Sequence, residues 1–100
     1  MRGLDSIDTV GVVGAGTMGS GIAQVAGMHG YDVVMRDIEA EFVEQGFTTI
    51  EDSLGRFVRK ETITDEESQA VLDRIEGTTE LADLAEADVV IEAAVEEMDV

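Results

Sequence analysis

Apolar positions along this chain fall into two rhythms. Residues 9–13, TVGVV, form a short β-branched run that suits a buried strand, and YDVVMR at 31–36 and DVVIEA at 88–93 repeat the pattern. Between them the apolar residues change to helical spacing. The clearest case is 39–60, where Val43, Phe47, Ile50, Leu54 and Phe57 recur every three or four residues along one stripe. A first helix is predicted over 18–29, with Ile22, Val25 and Ala26 on one face and Gly30 placed to end it as a left-handed cap. Thr64 and Glu67 make the pattern T-x-x-E, which predicts a capping box opening a shorter helix over 65–74 that carries Ala70, Val71 and Leu72. Residues 75–79 read as a poorly apolar strand suited to a sheet edge, 81–85 as one helical turn, and 88–93 as a strand apolar enough to be central.

Strands alternating with helices predict an α/β fold, a parallel sheet with flanking helices joined by right-handed crossovers. What sharpens this is the junction of the first strand and first helix. Gly14, Gly16 and Gly19 stand in the spacing G-x-G-x-x-G, directly after a strand and opening a helix. In that spacing the first glycine makes the turn, the second lets the backbone approach a pyrophosphate, and the third lets the helix lie close to the sheet. A helix start offers unpaired N–H groups and about half a positive charge, so the phosphates need no basic side chain. Asp37 closes the second strand about 20 residues further on, where an acid accepts hydrogen bonds from a ribose. A carboxylate there favours NAD over NADP, whose 2′-phosphate would meet like charge; alternation along the strand turns Arg36 to the other side. Asp37 also fits a plain helix N-cap ahead of Glu39. The reading is a Rossmann-like parallel sheet truncated after its fourth strand, in the order 3-2-1-4 of a 3-2-1-4-5-6 sheet. Residues 1–100 are thus expected to be a partial NAD-binding domain, the N-terminal part of a longer protein.

Composition then bounds the partners. The 100 residues hold 23 acidic and 6 basic side chains, a net charge of −17, and Lys60 is the only lysine. Nucleic acid is an unlikely class of partner for such a surface. Self-repulsion of this size, screened by salt over about 8 to 10 Å, points to a halophilic source. The chain has no cysteine and no apolar run of membrane-spanning length, which fits a soluble cytoplasmic protein. The acidic runs at 65–67 and 96–97 lack metal-ligand spacing, and the one histidine, His29, sits near a helix end and suits a surface or capping role.

The stretch GVVGAGTMGSGIAQVAGMHGYDVVMRDIE, followed by IEDSLGRFVRKETITDEE, RIEGTTELADL and DVVIEAAVEE, resembles the NAD-binding domain of 3-hydroxyacyl-CoA dehydrogenases, including the 3-hydroxybutyryl-CoA enzymes. The resemblance runs nearly the full chain. It implies oxidation of a (3S)-3-hydroxyacyl-CoA to the 3-ketoacyl-CoA in fatty acid metabolism, with hydride passing to NAD. A helical domain that forms a homodimer would follow, and the catalytic histidine and glutamate would lie beyond position 100, so no catalytic residue is expected here. Carried over by position, Gly14, Ala15, Gly16, Thr17, Met18, Gly19 and Asp37 would hold the cofactor, Ala93 and Glu96 would line the nicotinamide-side ribose, and Ser53 and Lys60 would meet the CoA phosphates. Two other readings share the glycine turn: another β-hydroxyacid dehydrogenase, and a regulatory NAD-binding module, which would not need Ser53 and Lys60 on a long helix.

Overall fold

The computed structural model describes residues 7–93. Its elements run β1 (Thr9–Val13), α1 (Thr17–Met28), β2 (Asp32–Arg36), α2 (Ala40–Arg59), α3 (Asp65–Arg74), β3 (Ile75–Thr78), a 3-10 turn (Leu81–Leu84) and β4 (Val89–Glu92). The four strands form one parallel sheet in the order β3-β2-β1-β4. This is the expected Rossmann-like arrangement, and every boundary lies within about two residues of the sequence reading.

Burial follows the strand alternation. Val10 and Val12 of β1, with Val33 and Met35 of β2, point to one face, where α2 covers them with Val43, Ile50 and Leu54 and α3 adds Val71. Phe47 and Phe57 of the predicted α2 stripe are partly buried against this core. As expected, β3 is an edge strand. β4 takes the other edge, as the expected order 3-2-1-4 places it: its run is apolar enough for a central strand, yet among the described residues it pairs only with β1, and Val89 and Val90 are exposed. An apolar strand at a sheet edge has one row of backbone groups without a strand partner.

The face of α1 that carries Ile22, Val25 and Ala26 is not its most buried one. Val25 is 55% exposed, and Ile22 and Ala26 only flank the core. The buried residues are instead Gly19, Ser20, Ala23, Gln24 and Gly27. Small residues at i, i+4 and i+8 let the helix lie close to the sheet, and larger side chains on that face would hold it away.

Two helices end in the same way. At α1 the Tyr31 N–H donates to Ala26 O and the Gly30 N–H to Gly27 O, with Gly30 at φ 95°. At α2 the Thr62 N–H donates to Phe57 O and the Glu61 N–H to Val58 O. Both are Schellman motifs, but the left-handed position of the second is filled by Glu61, at φ 62°. A side chain at that conformation costs about 1 kcal/mol, and an acid at this position adds negative charge next to the negative end of the helix. The capping box of α3 forms as predicted, the Glu67 N–H donating to Thr64 Oγ1 at 3.0 Å and the Thr64 N–H to Glu67 Oε1 at 2.9 Å.

Candidate functional site

The glycine turn sits where the C-terminal ends of β1, β2 and β4 converge. Val13 closes β1, and the Gly14 N–H donates to Arg36 O at 2.7 Å, extending the β1–β2 ladder by one residue. Gly14 then takes φ 108°, a conformation open to glycine and strained for other residues, and the chain reverses into α1. Two residues on, Gly16 is the N-cap of α1 and is extended. No side chain caps this helix and its first turn holds no acid, so no capping side chain occupies its opening N–H groups. Thr17 and Met18 are exposed beside them.

The other glycines divide the work as the spacing requires. A methyl group at Gly16 would meet nothing within 4 Å, so the backbone there borders open space. At Gly19 the same methyl would stand 1.7 Å from the carbonyl oxygen of Gly14. The third glycine is therefore what allows α1 to fold back over the turn.

Asp37 is tied into the turn more closely than its place in the sequence suggested. One carboxylate oxygen, Oδ2, accepts the Ala15 N–H at 2.7 Å, and the other, Oδ1, accepts its neighbour's N–H, that of Ile38, at 2.7 Å. Each oxygen keeps a lone pair for a further donor. The N-cap of α2 is Glu39, without a side-chain cap, so Asp37 does not fill the simpler helix-capping role. Arg36 is held elsewhere, its Nε donating to the Thr79 carbonyl at 3.0 Å.

Ala93 joins the same end of the sheet: it is buried, and its N–H donates to Val13 O at 2.8 Å. Glu96 lies outside the described residues. Ser53 is half-buried on α2 and Lys60 is exposed at its C-cap. The structure does not bring these two to the turn. They lie about 10 and 20 Å along α2 from Gly46, the residue of that helix that touches the turn. Sequence reading missed Gly46, whose face abuts Ala15. A glycine inside an otherwise regular apolar stripe was the signal available. His29 is exposed at the C-cap of α1, and among the described residues no cluster of acids or histidines has the makings of a metal site.

A strand, a glycine turn, an uncapped helix start and an acid at the next strand end fit a dinucleotide: diphosphate at the helix start, ribose at the acid. The family model for the 3-hydroxyacyl-CoA dehydrogenase NAD binding domain matches residues 9–100. This chain belongs to that family. Its relatives include the 3-hydroxybutyryl-CoA dehydrogenase of Bradyrhizobium diazoefficiens, 47% identical over 94% of this chain and 32% of the relative. A probable 3-hydroxybutyryl-CoA dehydrogenase of Deinococcus radiodurans is 51% identical over 86% of this chain and 31% of its own length. Among solved structures, the (S)-3-hydroxybutyryl-CoA dehydrogenase of Ralstonia eutropha superposes with a TM-score of 0.90 at 49% identity, over 94% of this chain and 33% of that one. The chain thus spans about a third of the length of the relatives it matches. NAD is the cofactor of this domain family, and the groups at the turn fit it: Gly16 leaves room where a side chain would intrude, and Asp37 retains acceptor capacity.

Proposed function

We propose that this chain is the cofactor-holding first part of an NAD-dependent enzyme that oxidises (3S)-3-hydroxyacyl-CoA to 3-ketoacyl-CoA. The observation that carries the reading is the glycine turn pinned to Asp37 within a domain of this family. Gly14, Ala15, Gly16, Thr17, Met18 and Gly19 hold the diphosphate through backbone N–H groups and the α1 dipole. Asp37 takes the adenosine ribose, and Ala93 with Glu96 lines the second ribose. NAD supplies the hydride acceptor, and this chain's residues bind and orient it. The groups that move the substrate proton belong to the part of the enzyme beyond residue 100, and a separate helical domain makes the homodimer.

Ser53 and Lys60 serve the CoA phosphates. Gly46, Ser53 and Lys60 are spaced by seven residues, so they share one side of α2, the side that meets the glycine turn at Gly46. An ammonium and a hydroxyl along that side suit a phosphorylated substrate lying beside the cofactor. The test is a chimera in which residues 9–100 replace the matching segment of the Bradyrhizobium enzyme. It should reduce NAD with (3S)-3-hydroxybutyryl-CoA, followed at 340 nm as NADH, and Lys60→Glu in it should raise the acyl-CoA KM about tenfold at unchanged kcat. A well-folded chimera without turnover would refute the reading, and an unaltered KM would remove Lys60 from the CoA site.

The same family reading, with no described helix long and apolar enough to cross a membrane, supports a cytoplasmic location. The net charge of −17 supports a halophilic source. Thermal unfolding in low and in molar KCl measures the second: the midpoint should rise by 10 °C or so with salt as repulsion is screened, and an unchanged midpoint excludes it.

A further inference from the structure

We propose that Gly46 is a positioning residue for the cofactor turn, the point at which α2 backs Ala15 and sets its N–H. This rests on the reading of the turn as the NAD cradle. A methyl group built at Gly46 would stand 2.8 Å from the Ala15 carbonyl oxygen, 3.0 Å from Ala15 Cβ and 3.1 Å from Met35 Cε. Carbon does not approach a carbonyl oxygen to 2.8 Å without displacing it, so the glycine marks a van der Waals contact between helix and turn.

Ala15 is thereby held from two directions. Its N–H donates to Asp37 Oδ2 at 2.7 Å, and its carbonyl and Cβ rest on the bare face of α2. The helix is the stiffer partner. Val43, Ile50 and Leu54 bury it on either side of Gly46, and on β3 its Val43 and Phe47 side chains already press so close that Gly77 has no room for a Cβ. A side chain at Gly46 therefore pushes the turn, displacing Ala15 relative to Asp37 and to the phosphate position. Gly55, on the same helix, is the matched control: a methyl there meets only Arg59 Nη1, at 3.6 Å.

The experiment compares Gly46→Ala and Gly55→Ala in the 100-residue chain, both built on Glu61→Gly, which relieves the strained end of α2 and offsets any loss of stability. NAD affinity is read by calorimetry on folded protein, and the Ala15 amide proton by NMR. Gly46→Ala should weaken NAD about tenfold and move the Ala15 proton upfield as its bond to the carboxylate lengthens, with both readouts unchanged in Gly55→Ala. A folded Gly46→Ala with parental affinity and an unmoved Ala15 resonance overturns the proposal. If Gly46→Ala does not fold even on that background, Ala15→Gly decides, since it loosens the same contact without adding an atom: several-fold weaker NAD binding supports the proposal, and parental affinity overturns it. A parental chain that takes up no NAD would overturn the cofactor reading instead, and the Ala15 resonance would still decide whether Gly46 sets the turn.

Discussion

Gly19→Ala is expected to destabilise the chain by about 3 kcal/mol and to abolish measurable NAD binding. The added methyl would stand 1.7 Å from the Gly14 oxygen and 2.7 Å from the Gly14 carbonyl carbon, both backbone atoms. Neither can swing aside as a flexible side chain does. Gly14 is fixed by its positive φ and by its bond to Arg36 O, so α1 must lift away from β1 and expose the small-residue face formed by Ser20, Ala23 and Gly27. Gly21→Ala is the control. A methyl there meets nothing within 4 Å, and exchanging glycine for alanine in an open helix position should stabilise by about 0.5 to 1 kcal/mol. Urea midpoints that move in opposite directions for these neighbours would separate the turn's geometry from helix propensity. A Gly19→Ala chain with an unshifted midpoint would remove the packing role assigned to the third glycine.

Asp37→Ala should weaken NAD about 100-fold, near 2.7 kcal/mol, the size of one lost hydrogen-bonding carboxylate. Two effects combine. The ribose loses its acceptor, and the Ala15 and Ile38 N–H groups lose the oxygens that hold them at 2.7 Å. Asp37→Asn separates these, because its one carbonyl oxygen can keep the Ala15 bond without the charge, so its loss of affinity should be smaller. It should also narrow the preference against NADP, since no carboxylate then faces the 2′-phosphate. Calorimetry on the three proteins checks both statements, and unchanged NAD affinity in Asp37→Ala would take the residue out of the site.

Local chemistry in this chain was readable before the structure, and tertiary approach was not. The three glycines, the Thr64–Glu67 box and the Gly30 cap depend on residues a few positions apart, and each formed as the spacing required. The second Schellman motif escaped notice because Glu61 occupies a place where glycine is the usual marker. The buried face of α1 is hidden from pattern reading for a related reason. Periodicity weighs the large apolar residues Ile22 and Val25, while a helix seated close on a sheet selects small ones. Likewise, the acid at the end of β2 was visible in the sequence, and its ribose role stays a proposal, but its bond to Ala15 joins residues 22 positions apart. The closeness of Gly46 to Ala15 joins two elements whose packing no local pattern encodes. The valine run of β4 is apolar enough for a central strand, and the order 3-2-1-4 leaves only its β1 side paired among the described residues.

The glycine turn and Asp37 together make one claim, that this chain holds NAD and turns away its 2′-phosphorylated form. Calorimetric titration of the chain with NAD and with NADP in the same buffer tests it most directly. Saturable NAD binding with NADP at least about tenfold weaker is the expected result. Equal affinities, tighter NADP binding, or no saturable heat with NAD would contradict it.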